Sequence, residues 1–455
     1  MNNETAVLDE VMEADIPSEL STASILSGVS AAKASGLPAR FAEQQRAGWD
    51  RFNALPMPAR KDQPWRFSSV DKLDLSKYRE PPPLSDDARA AIIERSVSLE
   101  ESAGRLVFAD DQLVRRDVIS DQLRQRGVIF QPLERAMIEH GDLVERHFMT
   151  EPAKLGSEKF AALHAARVSA GTFLYVPRGV EIDLPIEIFH WLEAENAAVF
   201  PHLLLVAEEL SKVTLLEHFR SSDASRAGFA CGVNDLIVGA GAKVTYVCAQ
   251  VWGREVVALQ MNATTVARDA SALSLNVHLG AAYSRFESFA RMTGEGARSD
   301  MLAVSAGNGQ QEFDARTLQD HVCPHTTSDL LYKNALNDRA RNIFGGLIRV
   351  EPHAHFTDAY QTVRNLLLSD DAEANSMPGL EILADNVKCS HGATSGQIDE
   401  DEMFYLLSRG ISGPIARQLL VAGFLNEVIE RVPNGTLGAA VREMVEAKFA
   451  GRART

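Results

Sequence analysis

The chain has 455 residues, 45% of them apolar and 24% charged, with a formal net charge of -16. This is the composition of a globular protein large enough for two or three domains or one repetitive core. Such an acidic balance excludes nucleic acid and anionic membrane as partners, because neither offers an acidic surface anything to neutralise.

The four cysteines (Cys231, Cys248, Cys323, Cys389) are scattered, with no C-x-x-C pair. That argues against a zinc ribbon, a thioredoxin-type motif, a self-contained four-cysteine cluster site and a disulfide framework. The opening MNNETAVLDEVMEAD lacks the charged and apolar regions of a signal peptide, and no apolar run reaches bilayer length. These features predict a reduced, cytoplasmic protein.

Residues 1–40 are acidic and then rich in Ser and Ala, and are expected to be poorly ordered. Residues 41–155 read as an N-terminal α+β region. Helices are expected over Phe41–Leu55, 85–96 and 131–147, with strand-like runs between Arg105 and Ile119. The proline-rich stretch Leu55–Phe67 excludes regular structure, and Trp65 in it reads as a packed anchor.

From 156 to 396 the texture changes to short aliphatic runs that alternate with period two and are broken by Gly, Asp, Asn and Pro. A small residue at a turn leads into a strand at Ser211, Ala242, Ala270, Ala297 and Ala340, the first four spaced by 31, 28 and 27 residues. A repeat of this period with so few aromatics predicts a parallel β-helix filled by aliphatic ladders, rather than a propeller.

Residues 397–455 return to helix. Asp399 with Glu402 forms an N-cap pair, Gly410 ends the first helix, Pro414 opens a second, and a third runs over 436–449. On the second, Ile415, Leu419, Ala422 and Asn426 form one stripe and Leu420, Phe424 and Val428 another. So wide an apolar surface packs on the β-core or receives a partner.

No P-loop, nucleophile elbow, His-Glu-x-x-His or dinucleotide fingerprint occurs, so the chain has no nucleotide site of its own of these types. Three places carry histidine near thiol or histidine: His321-Val-Cys323-Pro-His325, His353-Ala-His355 and Cys389-Ser-His391. Each reads first as a turn or a satisfied polar residue. Cys389 and His391 lie two apart in an extended run, so both side chains face one way, and thiolate with imidazole suits zinc, copper or an iron–sulfur cluster. Spacing alone favours a half-buried free thiol beside a surface histidine.

Tyr360–Asp370, Pro378–Ile382, Lys388-Cys-Ser-His-Gly-Ala-Thr394, Phe404–Gly410 and Gly423-Phe-Leu closely resemble the SufB/SufD family of iron–sulfur cluster assembly proteins. Upstream, Gly127-Val-Ile-Phe, Phe160–His164, Leu174–Val180 and His325–Lys333 support the likeness, which spans about residues 40–433. The resemblance implies a right-handed parallel β-helix between helical ends and a non-catalytic scaffold. It further implies pairing with SufB and a SufC ATPase on the C-terminal helices, where Phe404, Leu420 and Phe424 would dock it. A transient cluster would form at the SufB–SufD interface, with His391 as a metal ligand shared with the partner and Cys389 as the neighbouring thiol; a flavin is compatible with such a complex. Where SufB carries its scaffold cysteine this chain has Val363, and where SufB has acidic residues beside the interface histidine it has Ser390 and Gly392. These departures favour the SufD branch. A homomeric SufB-like scaffold and a carbohydrate-active β-helix enzyme are the competing readings.

Overall fold

The computed structural model describes residues 24–27 and 37–450; the expectation for residues 1–40 falls mostly outside them. In chain order the helices are α1 (Ala39–Ala54), α2 (Asp86–Arg95), α3 (Asp121–Gln125), α4 (Leu133–Glu139), α5 (Gly141–His147), α6 (Glu158–Arg167), α7 (Glu400–Ser408), α8 (Gly413–Ile429) and α9 (Gly435–Ala450). The expected helix over 131–147 is therefore two, broken at His140.

The centre of the molecule is a parallel β-solenoid, as the repeat predicts. Strands β1 (Gly104–Ala109) and β2 (Gln112–Asp117) precede it, with β3 (Ile129–Pro132) and β4 (Thr172–Val176). Then follow β5 (Ile186–Leu192), β6 (Ala197–Val199), β7 (His202–Ala207), β8 (Lys212–Ser221), β9 (Ala227–Val238), β10 (Lys243–Val251), β11 (Glu255–Val266) and β12 (Ser271–His278). The last coils are β13 (Tyr283–Met292), β14 (Arg298–Gly307), β15 (Glu312–His321), β16 (Thr327–Leu336), β17 (Arg341–Val350), β18 (Asp358–Leu367), β19 (Glu373–Ile382) and β20 (Lys388–Gln397).

The chain alternates between two sheets. The first runs β2-β1-β5-β8-β10-β12-β14-β16-β18-β20 and the second β19-β17-β15-β13-β11-β9-β7-β4-β3, with β6 on β9. Each coil enters the first sheet through a residue with left-handed backbone two positions before the strand: Leu210, Gly241, Asp269, Gly296, His325, Phe356 and Asn386. The first four repeat starts seen in sequence directly follow such corners. Ala340 does not, because it precedes β17 of the second sheet.

Inward side chains form one continuous core that includes Leu106, Ile188, Leu215, Tyr246, Met301, Tyr332 and Val363. The outer face of the first sheet is covered by α8 and α9, with Val247, Leu275, Leu302 and Leu331 against Val421, Leu425, Val428 and Val441. The outer face of the second is covered by the N-terminal segments through Trp65, Phe160 and Leu163 on Phe229, Leu259 and Tyr283. With both faces covered, residues of both faces are buried along strands such as β13 and β15, polar ones included.

Candidate functional site

Strand β20 is the last of its sheet and pairs on one side only, in register with β18: Cys389 beside Ala359, His391 beside Gln361, Ala393 beside Val363. Ala359, Gln361 and Val363 are buried and face inward. Because register preserves the face, Cys389 and His391 continue the interior columns into the terminal coil, where the interior opens. Cys389 is half-buried against Ile348, Val350, Ala354 and Ala359, whereas His391 is exposed. On β19, Leu380 and Ile382 occupy inward positions beside Ile348 and Val350, and they are exposed as well.

Burial, and then the Asp358 carboxylate, push the Cys389 thiol up, while a hydrogen bond with the Ala359 backbone pulls it down. The net direction favours the protonated thiol, so a thiolate here needs a cation beside it. Among the described residues no three His, Cys, Asp or Glu side chains converge as a metal group. Cys389 and His391 thus supply soft and imidazole donors of the kind iron–sulfur clusters accept, but only half a coordination sphere.

The other histidine motifs resolve into structure. His321 is buried, its Nδ1 at 2.7 Å from Thr326 Oγ1 and its Nε2 at 2.8 Å from Ser328 Oγ, and burial lowers its pKa to about 3. His325 is a corner residue stacked on Phe356, the next corner, at 4.8 Å. His353 and His355 sit in the turn before β18, not on a strand, and His355 Nδ1 lies 3.1 Å from the Asp385 carbonyl. Val363 is fully buried in the interior core.

On the C-terminal helices the apolar surface divides differently from the sequence stripes. Phe404 is 72% exposed, and Tyr405, Leu407, Ile415 and Leu419 stand out beside it. Leu420 is half-buried. Phe424 does not stand free: its ring lies 4.4 Å from the Lys333 ammonium, its carbonyl accepts from Lys333 at 2.9 Å, and it packs on the first sheet. Val421, Leu425 and Val428 form the buried stripe. The sequence reading misplaced it because α8 is apolar on most of its circumference.

A stacked parallel solenoid capped at one end and open at the other, with a thiol and an imidazole on the open edge, is a scaffold architecture of the iron–sulfur assembly kind. Family models agree: residues 190–424 match the SufBD core domain of SUF-system FeS cluster assembly, and residues 99–188 match the SufBD N-terminal region. The chain belongs to the SufB/SufD family, and it is most like SufD. It is 31% identical over 406 residues to the iron–sulfur cluster assembly protein SufD of Bacillus subtilis, covering 87% of this chain and 90% of that one. A SufBD family protein of Synechocystis is 27% identical, over 88% of this chain and 89% of its own length. One from Staphylococcus saprophyticus is 28% identical, over 69% and 67%. Family membership sets aside the carbohydrate-active reading. Among the described residues no helix is long and apolar enough to cross a membrane.

Proposed function

We propose that the chain is a SufD-type, non-catalytic scaffold subunit of the cytoplasm that pairs through its open solenoid end with a SufB-type subunit. The C-terminal helices dock a SufC-type ATPase, which supplies the nucleotide chemistry this chain lacks; Phe404 and its exposed neighbours provide the contact and Leu420 and Phe424 support it from beneath. The cluster is cargo: it forms at the subunit junction, with His391 as one iron ligand and Cys389 as a second donor or a thiol beside it. The observation that carries this reading is the position of Cys389 and His391 on an edge strand paired on one side only, as two donors of an incomplete set. A SufB-like homomeric scaffold would have to complete the cluster from two copies of the same pair, without the thiol that Val363 replaces.

The test is co-expression with SufB- and SufC-type partners and anaerobic purification, with iron and acid-labile sulfide measured per complex at equal stoichiometry. His391→Ala removes a ligand that alanine cannot replace, and a several-fold loss of cluster is expected while the subunits stay associated. Cys389→Ser is expected to lose less. Normal loading in both variants would make the pair structural, and full loading of the chain alone would favour the homomeric reading.

A further inference from the structure

The N-terminal cover does not fill all the space over the second sheet. Between α1, α6 and the outer face of β9, β11 and β13 lies a cavity of about 300 Å3, with Ala47, Arg51 and Lys154 exposed at its mouth. Small residues make the room. From α6 the lining is Ala161, Ala162 and Ala165, and from α1 it includes Gly48, where a Cβ would lie 2.8 Å from the Ala166 nitrogen, so the two helices meet closely at that point. Val233, Met261 and Phe289 line the cavity from the sheet, and Phe148 and Met149 from the segment after α5.

Two carboxylates, Asp235 and Glu287, join this apolar lining, and both are more than nine-tenths buried. Each has one oxygen occupied. Asp235 Oδ2 accepts from the Met149 N–H at 2.7 Å, and Glu287 Oε1 accepts from Ser157 Oγ at 2.5 Å and Arg285 Nε at 2.9 Å. The other oxygen of each takes no hydrogen bond among the described residues, and neither does the buried Oε1 of Gln44 on the same lining. Buried acceptors left bare are costly unless a donor meets them. Glu287 already has the Arg285 guanidinium beside it, whereas Asp235 has no Lys or Arg within ion-pair reach. Behind Asp235 stands a buried relay that fixes its orientation. His202 Nε2 is 3.4 Å from Asp235 Oδ2, His202 Nδ1 is 3.1 Å from His164 Nε2, and His164 Nδ1 is 2.8 Å from the Cys231 carbonyl.

We propose that this cavity binds an organic primary ammonium with an aromatic body, the ammonium donating to Asp235 and the ring lying among Phe148, Met149, Met261 and Phe289. An ammonium carries three donors and no acceptor, the complement of a lining whose buried oxygens are bare. Phenylalanine rings and methionine sulfurs are favourable neighbours for an aromatic ring. The face of Phe289 already receives an ammonium, that of Lys154 at 4.5 Å. The volume is at the small end for ligand sites and suits a molecule of about ten non-hydrogen atoms. No residue of α7, α8, α9, β19 or β20 lines the cavity, so the proposal stands independently of cluster assembly.

The experiment is a saturation-transfer magnetic resonance titration of the full-length protein with phenethylammonium as the probe and hydrocinnamate, an anion of like body, as the control. The probe is expected to bind with a Kd of about 1 mM or tighter, and the control at least about tenfold more weakly. Asp235→Asn keeps an acceptor for the Met149 N–H and removes the charge, and is expected to weaken the probe at least about tenfold. Ala47→Phe, at the exposed mouth, is expected to abolish probe binding. Absence of probe binding to the unaltered protein, equal binding of the control, or full affinity in Asp235→Asn would overturn the proposal. Should Asp235→Asn not fold, Ala47→Phe decides: loss of the probe supports the cavity as its site, and undiminished binding refutes it.

Discussion

At the N-terminal end of the solenoid both sheets finish in antiparallel pairs, β2 on β1 and β3 on β4, and α1, α6 and the Trp65 segment close over the outer face. At the other end β19 and β20 pair with no further strand among the described residues, β19 half-buried over most of its length and β20 largely in solvent. The N-terminal cover is fastened to β13 and β15, in the body of the stack, by a buried charge. Arg285 donates to Asp314 at 2.6 Å and Glu287 at 2.9 Å, and to the Pro64 and Leu155 carbonyls at 3.1 and 2.8 Å, with its guanidinium 3.8 Å from the Trp65 ring centre. Among the described residues the terminal strands β19 and β20 carry no buried ion pair of this kind. An exposed pair of edge strands is an invitation to strand pairing that monomeric proteins normally suppress. Here it is kept, and the two candidate donors sit on it. The comparison teaches that stability is assigned to the covered body of the stack and recognition to its open end.

Acid should separate the body of the stack from its open end most strongly. His164 and His321 have their pKa lowered to about 3 and His218 and His278 to about 4, with burial the largest cause in each. They lie along the body of the stack, on α6, β8, β12 and β15, and none is on the terminal strands β19 and β20. The unfolded chain protonates them near the free value of about 6.5 while the folded chain does not, so the unfolded state binds more protons and stability falls as pH drops from about 6.5 toward about 4. Each group contributes up to about 1.4 kcal/mol per pH unit in that window. Urea unfolding midpoints measured from about pH 7 to about pH 5 should fall steeply, and a flat profile would mean these imidazoles are hydrated or repacked.

Next in size is Arg285→Leu. It leaves Glu287 buried without its cation and Asp314 with Arg316 alone, and a loss of about 3–5 kcal/mol is expected by chemical denaturation. The smallest effect on stability comes from substitutions at exposed apolar residues. Ile382→Asp on the open edge and Phe404→Asp on α7 should each change the stability of the isolated chain by less than about 0.5 kcal/mol. In calorimetric titrations Ile382→Asp should weaken the SufB-type partner alone, and Phe404→Asp the SufC-type partner alone. Loss of both by either variant would show that the two surfaces are not separate.

Much of this division was legible in the residues. Small residues after the first four corners reveal the coil period because the corner conformation is the same each time, and alternation alone puts Cys389 and His391 on one face. What alternation does not tell is which face is inside. His321 looked like a ligand candidate because its partners, Thr326 and Ser328, are ordinary hydroxyls met only across a turn. The covered face of α8 was misread because its exposed Ile415 and Leu419 are as apolar as its buried Val421 and Leu425.

The seven left-handed corners also determine what changes of length the molecule tolerates. A whole extra coil adds one strand to each sheet and moves Cys389 and His391 about 4.8 Å farther along the axis, on the same face, with the corner rule intact. One extra residue inside β20 instead sends both side chains from the inner face to the outer. Residues added at a turn between strands, away from a left-handed position, leave both distance and face alone. Insertions should therefore be tolerated at the turns or as whole coils, and a single residue gained within β20 should abolish the site while the protein still folds.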